Sequence, residues 1–416
     1  MLFDEGTPLA RQDISVHNEQ VPHLPLLKLC QLAIVAFVFL VATAETPPSP
    51  NESSVDEPVS LHVAAVLPLT GRYSQLGQAQ ARVLDAYVRR LDTIYNIPVE
   101  LSIHDDGSDA TQTISLIDEL DSAHAVICCN HESVARDVLR AQSDAGIVVM
   151  TLAPFEDIGQ LGLLPAWTFP YWFFTVVPDE RVLLRAMLLD MSDRGVQTIG
   201  FMGLAGDFGE AAVTAFERML APGSMRVIVT ERYPPDIRIL TPEALWVATR
   251  QPSVVMVWGL AVDTRVALDA LERRGFERAV YVNPNVYTQS GLAITSFEGV
   301  RTVLDNVTAE NWRRPAALQL RLTTGERKAT SAHTWDAMMV LEEAFRSALA
   351  GGNPAEVNDF RQRVREGLIS MPPVAAATAT FDYTEDDHVG IIPRSLVIVE
   401  VQDGVLTPLT LPASSQ

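Results

Sequence analysis

Hydroxyl and backbone N–H groups follow the first strand that the sequence predicts. Thr70, Gly71, Tyr73 and Ser74 lie between the apolar run Leu61–Leu67 and a segment with helical spacing. Free N–H groups at a helix start, together with side-chain hydroxyls, can hold an anionic or polar ligand. The alternative is ordinary capping of the helix by Ser74. The segment is therefore interpreted as a ligand-binding loop or as a helix cap.

Catalytic and metal-binding patterns are absent from the sequence. It contains no Gly-x-Ser-x-Gly elbow, no phosphate-binding Gly-x-x-x-x-Gly-Lys-Ser/Thr loop and no zinc-like pairing of His or Cys. His104–Asp106 could suggest a metal, but such residues at a strand end more often cap the next helix. The spacing of Gly203, Gly206 and Gly209 is not that of a dinucleotide fingerprint. We therefore expect no enzyme activity, no cofactor and no metal.

Two adjacent cysteines, Cys128 and Cys129, end another predicted strand. A disulfide between neighbours would have to close over Cα atoms only about 3.8 Å apart, below the usual bridging range. The sequence therefore favours two thiols at the end of a buried strand, with the adjacent disulfide as the alternative.

Alternating strands and helices must position these residues. From residue 60 short β-rich runs alternate with helical segments, which predicts βα units and parallel sheets. A segment dense in aromatic residues and prolines, Pro165–Phe174, interrupts the alternation and is interpreted as a crossing between lobes. The predicted fold class is α/β, with two Rossmann-like βα lobes joined by a multi-strand hinge. The predicted strands are Leu61–Leu67, Val99–Ile103, Ala123–Cys128, Gly146–Thr151, Thr198–Met202, Arg226–Thr230, Ser253–Trp258 and Ala279–Val282, followed by a hairpin at Leu396–Leu411.

Length and charge restrict the classes of function. The 416 residues are too many for one core, and 48% hydrophobic against 20% charged residues excludes global disorder. The formal net charge of −21 repels phosphate backbones, so nucleic acid is a poor candidate partner.

The N-terminal region carries an apolar stretch, Leu24–Ala44. Its dense core, Leu32–Leu40, is short for a membrane span and suits a secretory signal, and Ala42-Thr43-Ala44 resembles a cleavage site. Residues 1–44 are therefore predicted to be a signal peptide, or alternatively an uncleaved signal anchor. Residues 45–59 are predicted to be a linker. Lobe 1 is assigned to residues 60–170 plus 302–393, and lobe 2 to residues 171–301 plus 394–412.

Several motifs, in this order along the chain, resemble one family. Val63–Gly77 looks like the opening of type I periplasmic binding proteins of the leucine/isoleucine/valine-binding family, which serve branched-chain amino acid ABC transporters. His104–Asp109 is similar to that family's Asp-Asp-x-x-Asp segment. Gly203–Glu210 is similar to its Asp-x-Tyr-Gly-Glu helix start, and His333–Ala337 to its His-x-Tyr-Asp-Ala helix start. The resemblance covers nearly the whole exported part and implies two lobes that close on a small molecule.

In lobe 1 the resemblance implies four further ligand-binding residues. Without gaps, Glu132 occupies the position of a family serine that binds the ligand carboxylate, and Ser133 follows it. A carboxylate there would repel an amino-acid carboxylate, so either Ser133 makes the contact or the ligand is not an anion; helix capping by Ser133 is the alternative. Ala153 and Phe155 lie where the family supplies a carbonyl and a hydroxyl, and Phe155 favours apolar contact with the ligand or packing between the lobes.

In lobe 2 and the last part of the chain the resemblance implies four more. Phe208 replaces a tyrosine of the family, and Trp258 ends a strand beside the expected ligand. Asn285 replaces the acidic residue that pairs with the ligand ammonium, which puts amino-acid specificity in doubt because a buried ammonium needs a partner. Trp335 either stacks on the ligand or packs in the core.

Together these features predict an exported, periplasmic solute-binding protein. It would capture a small polar or amphipathic molecule, such as an amino acid or amide, in the cleft between the lobes and deliver it to the permease of an ABC importer. The alternative is a membrane-tethered sensory module of the same fold. Neither the ligand nor the choice between transport and sensing follows from the sequence.

Overall fold

A mostly parallel sheet organises the first half of the protein. The computed structural model describes residues 59–142, 146–154, 171–220, 225–236, 238–284 and 297–410. Val63 to Leu67 in the central strand are all buried, because helices cover both faces of a parallel sheet. The strand order is β2-β3-β1-β4-β5-β6, with only β2 antiparallel to its neighbour. These strands are β1 (Leu61–Leu67), β2 (Thr93–Ile94), β3 (Ile97–Asp105), β4 (Ala125–Cys128), β5 (Val148–Thr151) and β6 (Phe173–Thr175).

Helices follow these strands, and aspartate side chains cap the starts of α2 and α4. Asp109 accepts a hydrogen bond from the N–H of Thr111, and Asp179 accepts one from the N–H of Val182. Each helix buries one face against the sheet, as the helical spacing of apolar residues predicts. The helices of this part are α1 (Ser74–Leu91), α2 (Ala110–Asp118), α3 (Glu132–Ala141) and α4 (Glu180–Asp193).

A second sheet has the order β15-β14-β11-β10-β9-β7-β8. Its first five strands along the chain are parallel, and the C-terminal hairpin adds β14 and β15 in antiparallel orientation. The strands are β7 (Thr198–Leu204), β8 (Arg226–Tyr233), β9 (Val254–Trp258), β10 (Val280–Val282), β11 (Val300–Leu304), β14 (Val397–Gln402) and β15 (Val405–Pro408). The helices between them are α5 (Asp207–Met219), α6 (Thr241–Arg250) and α7 (Ala261–Arg273).

The chain returns from the second sheet to the first through helices and a small hairpin. The long helix α9 (Ala329–Gly351) lies beside α1 and buries residues around its whole circumference in its first half. Before and after it come α8 (Pro315–Thr324) and α10 (Val357–Ser370), then the pair β12 (Val374–Ala375) and β13 (Thr380–Phe381) and a short 3-10 helix, Pro393–Ser395.

The predicted fold class is confirmed, since two parallel-dominated sheets alternate with helices in the predicted order. Phe173 and Phe174 correct one detail, because they begin strand β6 of the first sheet and do not belong to an irregular crossing. Their rings are buried, β6 pairs in register with β5, and Nδ1 of His388 donates to the carbonyl of Phe173 at 2.8 Å. Tyr171 and Trp172 form a turn directly before β6, and residues 165–170 of the predicted crossing lie outside the described residues. The other predicted lobe boundaries stay predictions.

The predicted signal segment and linker, 1–58, also lie outside the described residues. Among the helices of the described part, none is long and apolar enough to cross a bilayer.

Candidate functional site

The loops that follow the parallel strands of the first sheet meet at one edge. Strands β1, β3, β4, β5 and β6 run in the same direction, so the residues that follow them lie side by side. In open α/β sheets this carboxyl edge is where ligands collect. The predicted residues Tyr73, Ser74, Glu132, Ser133 and Ala153 all lie on it.

Asp105 holds the first of these loops against the β3–α2 turn. Its carboxylate accepts hydrogen bonds from the N–H groups of Leu69, Thr70 and Gly107 at 2.9 to 3.0 Å, and from the Thr70 hydroxyl at 2.7 Å. Burial opposes ionisation, but these hydrogen bonds outweigh it and lower the pKa of Asp105. Asp105 therefore organises the loop by joining it to the turn between β3 and α2.

Tyr73 and His131 form an aromatic pair at this edge. Their rings stack with centroids 4.8 Å apart and planes 23° from parallel, and both side chains are half-buried. Ser108 fixes the backbone of Tyr73 by accepting a hydrogen bond from its N–H at 3.0 Å. The guanidinium carbon of Arg72 lies 5.3 Å from the centroid of the Tyr73 ring. The pair offers a flat, partly exposed surface beside a cation, suited to a planar or amphipathic molecule.

The two helix starts beside this pair differ. Helix α1 is preceded by Tyr73, whose side chain makes no capping hydrogen bond, so Ser74 is its first residue and not its cap. Helix α3 is capped by His131, whose Nδ1 accepts from the N–H of Ser133 at 3.3 Å and lies 2.8 Å from its hydroxyl. The carboxylate of Glu132 pairs with Arg136 at 3.2 Å, and Ser133 is exposed. Glu132 is thus engaged within its own helix.

Two threonine hydroxyl groups donate hydrogen bonds to the backbone just after β5. The hydroxyls of Thr151 and Thr175 donate to the carbonyl oxygen of Ala153, at 3.1 and 2.9 Å. Ala153 is buried, and its carbonyl already has two donors, which occupy both lone pairs of that oxygen. Phe155 lies outside the described residues. The sequence analysis did not identify Thr175 as a partner of Ala153. The available signal was a threonine directly after two apolar residues, Phe173 and Phe174.

Cys128 and Cys129 correct the expectation of free thiols, because their sulfur atoms are bonded to each other. Cys129 has a left-handed backbone with a φ of 63°. Successive side chains of a strand point to opposite faces, and this conformation returns the second side chain to the first. The adjacent disulfide, held open as the alternative, is the form in the structure.

The second sheet contributes fewer described residues to the site. Trp258 ends β9 and is fully buried. Its carbonyl accepts a long hydrogen bond from the Tyr233 hydroxyl, at 3.4 Å. Its indole Nε1 has no hydrogen-bond partner among the described residues. Phe208 lies in the first turn of α5, but its side chain is outside the described part. Asn285 also lies outside it. Ligand contact by these three residues stays a prediction.

Trp335 is not brought together with Tyr73. Its fully buried ring packs edge-on against Tyr87, with centroids 4.6 Å apart, and Arg90 lies 5.6 Å from its centroid. Tyr87 is fourteen residues along α1 from Tyr73, which at the rise of an α-helix is about 20 Å. Trp335 therefore packs in the core beside the far end of α1, the alternative that the sequence left open.

One groove of the described surface lies at the opposite edge of the first sheet, where β3 begins. It has a volume of about 540 Å³ and is lined by Tyr95, Ile97, Leu349, Ala350, Gly352, Asn353 and Pro354. No charged side chain lines it, and it is remote from the loops that carry the polar groups described above.

Comparison with protein families identifies one match. A family model described as periplasmic binding protein matches residues 60–405, most of the chain. No curated protein matches the chain.

Solved structures of low sequence identity share the fold. A putative branched-chain amino acid ABC transporter protein from Rhodospirillum rubrum has a TM-score of 0.67 at 19% identity, and the match covers 84% of this chain and all of that one. A leucine-binding protein from Thermotoga maritima gives 0.55 at 16%, covering 86% of this chain and 100% of that chain. A solute-binding protein from R. palustris, solved with benzoate, gives 0.53 at 17%, covering 85% and 96%.

Proposed function

The chain belongs to the periplasmic binding protein family, and on this premise we propose that it is an exported solute-binding protein of the periplasm. It captures a small polar or amphipathic molecule between its two sheets and releases it unchanged, without catalysis. The energy of binding goes into closure of the two lobes about the segments that connect them.

The Tyr73–His131 pair is the observation that carries this proposal. It lies at the carboxyl edge of a parallel sheet, between the starts of α1 and α3, and both side chains are partly exposed. Aromatic faces contribute apolar contact area, while N–H groups at helix starts favour polar or anionic groups of a ligand. A site with these two properties suits a molecule that has one flat apolar part and one polar part.

Amino acids, amides and aromatic acids are the ligand classes that we propose to compare. The carboxylates of Asp105 and Glu132 are engaged by internal donors and by Arg136, and the Ala153 carbonyl already accepts from two hydroxyls. An ammonium group would find few free acceptors among these residues, which favours ligands without one. The benzoate-bound protein from R. palustris makes aromatic acids a reasonable class to include.

Delivery to an ABC importer is proposed as the role of the captured ligand, with the permease subunits as partners. Amino acid and benzoate binding proteins among the structural neighbours support this role. Genes for a permease and an ATPase beside the gene of this protein would favour it.

Thermal unfolding in the presence of each ligand class tests the proposal. A ligand that binds the folded state raises the melting temperature, and isothermal titration then gives its affinity. We expect Tyr73→Ala to weaken binding roughly tenfold, because it removes an aromatic contact of about 1–1.5 kcal/mol. Tyr95→Ala is the matched control, since Tyr95 is 63% exposed at the opposite edge of the sheet. A folded protein whose melting temperature no class raises would contradict the proposal.

A tethered sensor is the second candidate, favoured by the apolar stretch Leu24–Ala44. If this segment stays attached, the protein remains with the membrane after washing at high salt. Recovery of a chain that begins at Glu45 in the soluble periplasmic fraction would exclude the tether.

A further inference from the structure

The Cys128–Cys129 disulfide immediately precedes, along the chain, the segment that carries His131 of the aromatic pair. Both cysteines are buried, with exposed fractions of 0% and 1%, and Cys129 adopts a φ of 63°. A residue with a side chain prefers negative φ by about 1–2 kcal/mol. The turn after β4 is therefore held in a conformation that its residue type disfavours.

The disulfide joins the turn at Cys129 to a strand of the first sheet. Cys128 pairs in register with Thr151 of β5, and its carbonyl accepts a hydrogen bond from the N–H of Leu152 at 2.9 Å. Because the side chain of Cys129 is bonded to that of Cys128, Cys129 cannot rotate away from this anchored strand.

The next two residues connect the turn to α1. The side-chain amide of Asn130 donates to Gln80, a buried residue of α1, at 2.9 Å. His131 then caps α3 and stacks on Tyr73 at the start of α1. Only Asn130, which is held on α1, separates the turn at Cys129 from the His131 ring.

We propose that the disulfide is a positioning device for the candidate ligand site: by holding Cys129 in the left-handed conformation it places His131 against Tyr73. The ligand role of the pair rests on the proposed function, whereas the positioning itself does not. Without the bond, Cys129 relaxes toward negative φ, the turn changes direction, and the two rings separate.

The imidazole resonances of the full chain test this inference without any ligand. The chain has eight histidines, which can be labelled with ¹³C at the ring and assigned by substitution, with His131→Gln identifying the resonance of interest. In the wild-type protein we expect the ring current of the stacked Tyr73 to shift the His131 resonance upfield. We expect this shift to be lost in Cys128→Ala/Cys129→Ala and retained in Cys128→Ala/Cys129→Gly, because glycine adopts positive φ without a disulfide.

Val126→Ala is the matched control, since it removes buried apolar volume from the same strand and leaves the disulfide intact. Its His131 resonance should keep the upfield shift. If the double alanine variant does not fold, the single variant Cys129→Ser gives the same comparison.

Three outcomes would overturn the inference. They are an unchanged upfield shift in the alanine variant, an equal loss in Val126→Ala, and no retention in the glycine variant. Failure of the proposed function would look different, because the shift would then follow this pattern while no ligand raised the melting temperature.

Discussion

The carboxylate of Asp336 accepts two hydrogen bonds from Thr378, one from the backbone N–H at 2.8 Å and one from the hydroxyl at 2.5 Å. The N–H of Ala377 donates a third, at 2.6 Å. The Thr378 carbonyl in turn accepts from the N–H and the side-chain amide of Asn306, whose amide also donates to Ser395. A single buried carboxylate in α9 is thus connected to both segments that lead to and from the second sheet.

The stability of the protein should fall as the pH rises through neutrality because of Asp336. Complete burial raises the pKa of Asp336 to about 7, although the hydrogen bonds from Thr378 and Ala377 and the charge of Arg314 oppose this. The folded state then binds a proton more tightly than the unfolded chain, so the stabilisation is complete below pH about 4 and is lost as the pH rises through about 7. Between pH 5 and 8 we expect the free energy of unfolding to fall by roughly 2.5 kcal/mol more in the wild type than in Asp336→Asn.

Urea unfolding at pH 5 and at pH 8 provides the measurement. Asn cannot titrate, so the difference between the two proteins isolates Asp336 from every other group. The variant should be less stable by about 1 kcal/mol at pH 8, because its amide nitrogen faces a backbone donor, and by about 3.5 kcal/mol at pH 5, where the wild type also gains from the protonation of Asp336. Parallel pH profiles for the two proteins would show that Asp336 does not change its protonation state in this range.

Periodicity was sufficient to predict most of this fold, because each parallel strand is a short apolar run and each helix has one apolar face. Periodicity did not predict the segments that surround Asp336. The β12–β13 hairpin and α8 carry no clear period, and their form depends on partners distant in sequence, such as the contact of Asn306 with Thr378. The disulfide likewise depends on one positive φ, which residue types do not reveal.

Gly71 should tolerate alanine poorly. It has a φ of 78°, and a Cβ atom there would lie 2.2 Å from the carbonyl oxygen of Gly107. Gly195 is the matched control, because its φ is 70° but a Cβ would meet no atom within 4 Å. We expect Gly195→Ala to lower the free energy of unfolding by about 1 kcal/mol, and Gly71→Ala to lower it by at least about 2 kcal/mol more.

Urea denaturation of both alanine variants measures this difference. Hydrogen exchange at Thr70 should also accelerate in Gly71→Ala alone, since the hydrogen bonds of that loop to Asp105 would be disturbed. Equal losses in the two variants would mean that the loops around Gly71 and Gly107 separate at little cost.

The candidate site could be predicted only in part. Tyr73 and Ser74 were accessible because they follow a strong strand signal and precede a helix. The stacking of Tyr73 on His131 was not, because it depends on the alignment of β1 with β4 and on the turn at Cys129. For Trp335 the sequence allowed either ligand contact or core packing. The structure shows core packing, with the indole ring against Tyr87.

Replacing Arg365 by lysine should destabilise the protein. Its side chain is 2% exposed, its guanidinium carbon lies 3.4 Å from the centroid of the Tyr171 ring, and its Nε donates to the Tyr171 carbonyl at 2.8 Å. Glu385 pairs with the other end of the guanidinium but is 61% exposed. Lysine lacks a planar group that can stack on the Tyr171 ring and hydrogen-bond at the same time, so Arg365→Lys should lower the free energy of unfolding by about 2–4 kcal/mol.

Glu385→Gln is the control. It should lower the free energy of unfolding by under about 1 kcal/mol, because water can replace an exposed partner. Similar losses in the two variants, measured by urea unfolding, would contradict this division.

Tyr281 joins the second sheet to α4 through a buried carboxylate. Its hydroxyl donates to Asp190 at 2.7 Å and accepts from Arg301 at 3.2 Å, while Arg194 also pairs with Asp190 at 2.9 Å. Burial raises the pKa of Tyr281, with a further contribution from the negative charge of Asp190, so the hydroxyl keeps its proton and donates. Tyr281→Phe removes that donor but leaves the Asp190 carboxylate in place, 4% exposed.

We therefore expect Tyr281→Phe to lower the free energy of unfolding by about 1–3 kcal/mol, the cost of leaving a buried charged acceptor short of one partner. Tyr95→Phe, at a tyrosine that is 63% exposed, should change it by less than about 0.5 kcal/mol. Adding Asp190→Asn should recover part of the loss, because a neutral amide needs less compensation than a carboxylate. A double variant that loses the sum of the two single changes would show that Tyr281 and Asp190 stabilise the protein independently, and their hydrogen bond would then contribute nothing measurable.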